Sequence, residues 1–536
     1  MAFSRNLFTE IAKSNPARFL RARRHNHQIS FQPPTNIDPL FCYTSGRWLW
    51  NEREQLEARS RRFDVPSLQK VACQTVGASQ CVSLEKIGEG NYNKAYRLIL
   101  EDGQRLIAKV PHPNAGPPLL TTSSEVATME FARTVLSLPV PKVLAWSATD
   151  QNPVEAEYII MEEAKGSPLH KAWEDLQLRA KRDIIYEIVD IERKLLSISF
   201  NSGISGCEPA EISGTGLGEI RHQIQSRFCI GPIVRKEFWE KERSNLHQYQ
   251  GPWNSSREYL ESVASRKIAW IKTSADPRKA TENVLQYTSP EQHSLEAHIT
   301  SLQKYLSAIP YIIPNDFELV SPRIWHPDFH AGNIYIDDCG RISSIIDWQG
   351  AWTTPVFIGA NPPPLLDYGV DIMMKLPDGF KELDEGIKDR LRYQVSQSIL
   401  IHSYETRTAE QNPLMYKMMR HPHGKTLKHL DAFAGATWDN CLYPLQECLI
   451  SHSCPYRFSA EELQRHDEEV ETFNQSQEFW KELSGILTDE GYTSNGTFGK
   501  AVEVVMELRE RRLAGLEGEE RDEFDRKMRW VLELNA

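Results

Sequence analysis

Two periodicities divide the chain. Short runs of contiguous or alternating apolar residues predict strands, and longer stretches in which apolar residues recur every three or four positions predict helices. Val82, Leu84 and Ile87 begin a strand that runs into Gly88-Glu89-Gly90-Asn91-Tyr92-Asn93 and re-emerges as a second strand at 97–100. Residues 107–110 and 157–161 predict two more. Between them, 123–132 predicts a helix opening on two capping serines, Ser123 and Ser124, until Pro139 and Pro141 break it and a strand starts at Val143. Ile184, Ile188, Ile191, Leu195 and Leu196 mark the apolar face of a helix over 179–199. Residues 334–336 and 342–346 predict a strand pair about the turn Asp337-Asp338-Cys339-Gly340, and helices follow from about residue 380 to the end. Upstream, 41–80 reads as a helical lead-in anchored by Trp48, Trp50 and Phe63 to the lobe that follows. The last helices, 502–516 and 523–534, alternate charge as solvated faces do. A strand-rich part with one helix, then a mostly helical part, is an α+β order.

The 536 residues leave room for two to four domains. The pattern divides them into a basic tail (1–35), the helical lead-in (36–80), a strand-rich lobe with its exit (81–165), a larger helical lobe with an insertion (166–400) and a helical C-terminal extension (401–536). The hydrophobic fraction is 40%, the charged fraction 25%, and no apolar run is long enough for a transmembrane segment. A formal charge of −11 argues against a general nucleic-acid binder, which needs a basic face. The nine cysteines contain no CxxC pair and read as reduced, buried thiols. At the start, Arg5, Lys13, Arg18, Arg21, Arg23 and Arg24 are opposed only by Glu10, and Phe3, Leu7, Phe8 and Ile11 recur at helical spacing. That Arg-rich, acid-poor amphipathic character is that of a mitochondrial transit peptide, with a disordered basic tail as the plainer reading.

Candidate chemistry sits around the second strand pair. Phosphoryl transfer from ATP needs a carboxylate to accept a hydroxyl proton, an amide oxygen to hold a metal ion and a second carboxylate to hold the metal that bridges the phosphates. Asp328, Asn333 and Asp347 are groups of those three kinds, and the Asp328-to-Asn333 spacing is that of H-R-D-L-x-x-x-N. In a plain hairpin the same residues would only cap turns. The strand-rich lobe supplies matching parts. Gly88 and Gly90, with Asn91 and with Asn93 in place of a third glycine, form a loop whose amides can approach phosphate closely. Ile107-Ala108-Lys109-Val110 resembles V-A-I-K and puts one ammonium at the α- and β-phosphates. Glu125, rather than Glu130, is the carboxylate expected to hold Lys109. Glu162-Glu163-Ala164-Lys165-Gly166 reads as the hinge between lobes, with the backbone of Glu162 and Ala164 pairing with adenine and Met161 packing beside the base. His326 is expected to fix the catalytic loop rather than to do chemistry.

His326-Pro327-Asp328 stands where a protein kinase has H-R-D, and Asp347-Trp348-Gln349 where it has D-F-G. This combination resembles the aminoglycoside phosphotransferase and choline kinase group. Ser124-Glu125-Val126-Ala127-Thr128-Met129, Val140-Pro141-Lys142-Val143, Ile230-Gly231-Pro232, Gly251-Pro252-Trp253 and Ile346-Asp347-Trp348-Gln349 together resemble the fungal altered-inheritance-of-mitochondria protein 9 family within that superfamily. The resemblance implies a bilobal, protein-kinase-like α+β fold of the aminoglycoside phosphotransferase type, with ATP and Mg²⁺ as cofactors, a hydroxyl-bearing small acceptor and a mitochondrial location. Asp328 is then the base, Asn333 and Asp347 the metal ligands, and Lys109 with Glu125 the phosphate grip. The long stretch from Gly166 to Arg323 reads as an insertion shaping the acceptor site, with Ile230 to Trp253, which holds Phe238, Trp239 and several basic residues, lining a cleft. The rivals are an ATP-binding scaffold without turnover and a protein kinase; the absent H-R-D arginine and D-F-G disfavour the latter.

Overall fold

The computed structural model describes residues 38–201, 208–209, 211–213, 218–239, 243, 246, 248–276, 285, 291–422, 424–451 and 458–534. The expected transit peptide lies outside them. β1 (Gly46–Trp48) is followed by helix α1 (Val65–Val76), capped by the Asp64 side chain, which accepts from the Ser67 amide. Then come β2 (Cys81–Glu89), β3 (Asn93–Leu100), β4 (Arg105–Pro111), helix α2 (Leu120–Thr134), β5 (Val143–Ser147) and β6 (Tyr158–Glu162). Strands β2 to β6 form one antiparallel sheet in the order β2-β3-β4-β6-β5. Alternate β3 residues Tyr96, Leu98 and Leu100 are buried and pack with Phe63 of the lead-in and Leu68 and Ala72 of α1, so one face of the sheet is closed from the N-terminal side.

The larger lobe starts at β7 (Ser167–Pro168) and α3 (Leu178–Leu195). As predicted, α3 buries Ile184, Ile188, Ile191 and Leu195, though it ends before Ser199, which already belongs to a strand. Strands β8 (Ser199–Asn201), β9 (Glu211–Ser213), β10 (Pro322–Trp325) and, further on, β13 (Trp352–Pro355) make a sheet ordered β9-β8-β10-β13. Within it, helices α4 (Ser256–Ser274) and α5 (Leu295–Ile312) fill the inserted stretch, and β11 (Ile334–Ile336) and β12 (Ile342–Ile345) form the predicted hairpin, joined by β7. The long helix α6 (Glu385–Gln411) lies against α3, where the buried Tyr404 hydroxyl donates to Glu192 Oε2 (2.9 Å). One apolar core spans this lobe and takes in Met129, Phe131 and Ala132 of α2. The fold is the α+β, kinase-like arrangement expected, with a helical C-terminal region.

Four expectations need correction. Helix α2 begins at Leu120, right behind Pro117 and Pro118; Ser123 and Ser124 lie inside it, and no side chain caps it. The lead-in is not wholly helical, because β1 pairs with β14 (Tyr492–Ser494) of the C-terminal extension, and Trp50 packs on Trp530 (5.8 Å) rather than on the next lobe. The charged terminal helices α7 (Phe498–Ala514) and α8 (Gly518–Lys527) are not all solvated surface. Beneath their charges, Ala501, Val504, Val505, Leu508, Phe524 and Met528 form a second core with Leu49. Of the seven described cysteines none is paired, but only Cys73 and Cys448 are buried, while Cys229 and Cys339 are exposed. Among the described residues no helix is long and apolar enough to cross a membrane.

Candidate active site

β10 delivers the catalytic loop. His326 is buried, and burial pushes its imidazole down to about 4, so it is neutral. Its Nδ1 accepts from the Asp328 amide (3.2 Å), which leaves Nε2 to donate to the Ile346 carbonyl (3.0 Å). One ring thus ties the loop that carries Asp328 to the strand end that carries Asp347. The fully buried Trp348 sits edge-on to this imidazole (4.6 Å) and donates to the Ile345 carbonyl (3.1 Å). Asn333 Nδ2 donates to the Asp328 carbonyl (2.9 Å), and the Asn333 carbonyl accepts from the Ile346 amide (3.0 Å). The Asp328 side chain is 61% exposed, open to an incoming group.

Lys109 is the meeting point of the two lobes. Its Nζ lies 2.7 Å from Glu125 Oε1 on α2 and 2.7 Å from Asp347 Oδ1 after β12. Glu125 is therefore the partner, and Glu130 pairs at the surface with Arg133 and Arg227. Desolvation opposes the ammonium, but the two carboxylates outweigh it and hold the Lys109 pKa above its ordinary value. Burial pushes Glu125 up; for Asp347 the Lys109 charge overcomes burial and holds the carboxyl down. Asp347 adopts φ 61°, a conformation that costs a non-glycine residue on the order of 1 kcal/mol and that recurs at functional sites. Asn333 Oδ1 and the Asp347 carboxylate are hard oxygen donors next to paired residues Ile334 and Ile345. With Asn333 Nδ2 already committed to Asp328, its oxygen is the free end, and the pair fits a Mg²⁺ ion that takes its remaining ligands from phosphate and water.

The loop between β2 and β3 is open above its glycines: a Cβ on Gly88 or Gly90 would meet nothing within 4 Å. The Gly90 amide donates to the Asn93 carbonyl (2.9 Å), and the Asn91 carbonyl faces His112 Nδ1 (3.3 Å). Asn93 does more than stand in for glycine, since its Nδ2 donates to Gln349 Oε1 (2.9 Å). At the hinge, Met161 pairs with Ile107 and Val143 and is half-buried, as a residue flanking a base would be. The Glu162 amide is already taken by the Lys142 carbonyl (3.0 Å), which narrows its expected contact with adenine to the carbonyl. Ala164 is half-buried at the exit. Gly166 is obligatory there: φ is +86° and a Cβ would come 2.0 Å from the Ile336 carbonyl oxygen, so hinge and metal-side hairpin touch backbone to backbone.

A cavity of about 510 Å³ abuts the catalytic loop at Pro327 and Phe329, with Gln349, Trp352, Arg235 and Asp431 on its walls. Arg235 lies 3.6 Å from Asp431 Oδ2, 3.3 Å from the Tyr259 hydroxyl and 5.1 Å from the Trp352 ring centroid. The insertion does reach the site, but through Arg235, because Phe238 is buried in the core and Trp239 donates to the Ile233 carbonyl (2.7 Å). His330, too, was not singled out by the sequence. Its Nδ1 accepts from the Gly332 amide (2.9 Å), so the protonated Nε2 is the nitrogen 3.3 Å from Asp328 Oδ2. Its only signal is its place two residues after Asp328; Arg235 falls among the basic residues of 230–253 expected to line a cleft, and Asp431 has no sequence signal.

The family model described as the phosphotransferase enzyme family, APH, matches residues 83–357. A subtelomeric hrmA-associated cluster protein of Aspergillus fumigatus is 30% identical over 483 residues, which cover 80% of this chain and 92% of that protein. The altered inheritance of mitochondria protein 9, mitochondrial, of Saccharomyces cerevisiae is 24% identical over 533 residues, covering 82% of this chain and 84% of that one. Among solved structures, the streptomycin-ATP-APH(2″)-IIa ternary complex aligns at 13% identity and a TM-score of 0.35, over 76% of this chain and 98% of that one. With the family match spanning just over half of its length, the chain belongs to the APH phosphotransferase enzyme family and is similar over most of that length to the altered-inheritance-of-mitochondria protein 9 relatives.

Proposed function

We propose that the chain is an ATP-dependent phosphotransferase that moves the γ-phosphate of Mg-ATP to a hydroxyl of a small-molecule acceptor. The observation that carries this reading is Lys109, whose ammonium is held at 2.7 Å by carboxylates 16 and 238 residues away in sequence, one from each lobe. A buried cation held between a helix carboxylate and the metal-side carboxylate is the phosphate grip of a kinase rather than a surface ion pair. Lys109 holds phosphate oxygens, the loop of Gly88, Gly90, Asn91 and Asn93 covers them, and Met161, Glu162 and Ala164 flank the base. Asp328 takes the proton from the acceptor hydroxyl, and His330 keeps its carboxylate turned toward the loop. Mg²⁺, held by Asn333 and Asp347, neutralises charge on the phosphates when bound. The cavity bounded by Phe329, Trp352 and Arg235 is the seat for the acceptor. The similarity to the mitochondrial protein 9 relatives and the basic, acid-poor first residues support a mitochondrial location.

Asp328→Asn separates transfer from binding. It should keep Mg-ATP affinity near wild type and lower phosphate transfer to compounds of a metabolite extract by about 10²- to 10⁴-fold. Lys109→Ala should instead weaken nucleotide binding itself. No transfer above background by wild type would overturn the enzyme reading and leave a nucleotide-binding scaffold, whereas equal, measurable transfer by wild type and Asp328→Asn would remove Asp328 as the base.

A further inference from the structure

Glu89 stands between the two glycines of the phosphate loop, yet its side chain turns away from any ligand and is 2% exposed. Oε1 accepts from the Thr44 amide (2.6 Å), the Thr44 hydroxyl (2.8 Å) and the Ser45 hydroxyl (2.9 Å), while Oε2 pairs with Lys86 Nζ (2.9 Å). Burial alone would push the carboxyl up, but these donors hold it below its ordinary range, so it is an ionised and fully engaged anchor.

Thr44 and Ser45 lead straight into β1, and β1 is paired with the C-terminal extension through Gly46↔Ser494, Arg47↔Thr493 and Trp48↔Tyr492. The approach is close: a Cβ on Gly46 would come 2.5 Å from the Thr493 carbonyl oxygen. Asn495 Nδ2 donates to the Thr44 carbonyl (2.7 Å), one residue from the Glu89 contacts, and the Trp48 and Tyr492 rings lie 5.1 Å apart. Beside this junction a cavity of about 410 Å³ has Gly90 and Asn91 on one wall and Thr488, Asp489 and Glu490 on another. The far end of the chain thus reaches the tip of the phosphate loop.

We propose that Glu89 is a positioning residue through which the C-terminal extension fixes the phosphate loop, and that the extension thereby sets the affinity for nucleotide. Two glycines give the loop wide conformational freedom, and a ligand that must order it loses binding free energy to do so. A carboxylate seated in Thr44 and Ser45 orders it beforehand. The link to nucleotide affinity rests on the phosphotransferase reading; the link between extension and loop does not.

Hydrogen exchange on the full-length chain without nucleotide reads the second link directly. Asn495→Ala should speed exchange of the amides at 88–93 by about tenfold, the equivalent of one lost hydrogen bond, and Glu89→Ala, which removes the acceptor of four contacts, by at least that factor, with exchange in α3 unchanged in both. Glu89→Gln keeps an acceptor for Thr44 and Ser45 but turns an amide NH2 against Lys86 Nζ, so its loop exchange should lie between wild type and Glu89→Ala. Loop exchange in Asn495→Ala equal to wild type, or raised alike in α3, overturns the proposal. A fluorescent ATP analogue with Mg²⁺ reads the first link, and its Kd should rise about tenfold in Glu89→Ala and Asn495→Ala. An unchanged Kd with faster loop exchange overturns the affinity claim, whereas failure of wild type to bind the analogue overturns the phosphotransferase reading and leaves exchange to decide the coupling.

Discussion

Asn93 occupies a position where the kinase pattern has glycine, and its side chain spans the two lobes by donating to Gln349 Oε1 (2.9 Å). Gln349 in turn donates through Nε2 to the Ala115 carbonyl (3.3 Å), so the residue after Trp348 braces both the phosphate loop and the loop before α2. Asn93→Gly would match the pattern better and yet remove this tie. It should lower stability by about 1–2 kcal/mol, from one hydrogen bond plus the added freedom of glycine, read as a shift of the urea midpoint. An unshifted midpoint would show that the tie contributes nothing. Residues whose chemistry needs a fixed type at a fixed spacing, such as Asp328 and Asn333, could be picked out from the sequence. Gln349 and Asp431 carry no such signal, and Arg235 is only one of several basic residues in 230–253, because their partners come from distant loops that no local spacing encodes.

Strands were legible because β3 alternates buried and half-buried positions and β4 carries a short apolar run, and the hairpin β11–β12 because its turn residues are diagnostic. Helix starts and the far end of the chain were less so. Charge alternation along 502–516 was read as a solvated face, yet the same stretch carries Val502, Val505 and Leu508 at helical spacing, and these are buried. Tryptophans of the lead-in read as anchors for the neighbouring lobe, while the extension more than 400 residues on supplies their partners. Met528 distinguishes the two pictures, being fully buried in the second core. Met528→Ala should cost about 2–5 kcal/mol in chemical denaturation, against less than about 0.5 kcal/mol for a solvated helix position.

Over the whole molecule, buried neutral imidazoles give acid a purchase that the net charge of −11 does not reveal. His112 in the small lobe is 3% exposed and His298 in the large lobe 0%. Burial pushes their pKa values down to about 3 and about 4, the nearby Lys94 and Arg59 adding to the effect at the first and Lys267 and His293 at the second. Glu89 and Asp439 and the carbonyls of Asn91 and Gln292 act the other way without overcoming it. An unfolded chain protonates these rings near pH 6.5, whereas the folded chain refuses the proton until about pH 4 at His298. The stabilising contribution is therefore fully present above about pH 6.5 and is lost as pH falls from there toward 4, since over that window the unfolded state binds more protons. For His298 alone the span is worth on the order of 3 kcal/mol. Urea midpoints of wild type should fall markedly between pH 7 and pH 5. His298→Leu places an apolar, non-titrating side chain against Trp438, whose ring now lies 4.8 Å from the imidazole, and removes one such group. Its midpoint should decline less over the same interval, and a decline as steep as that of wild type would show that the acid sensitivity comes from elsewhere in the fold.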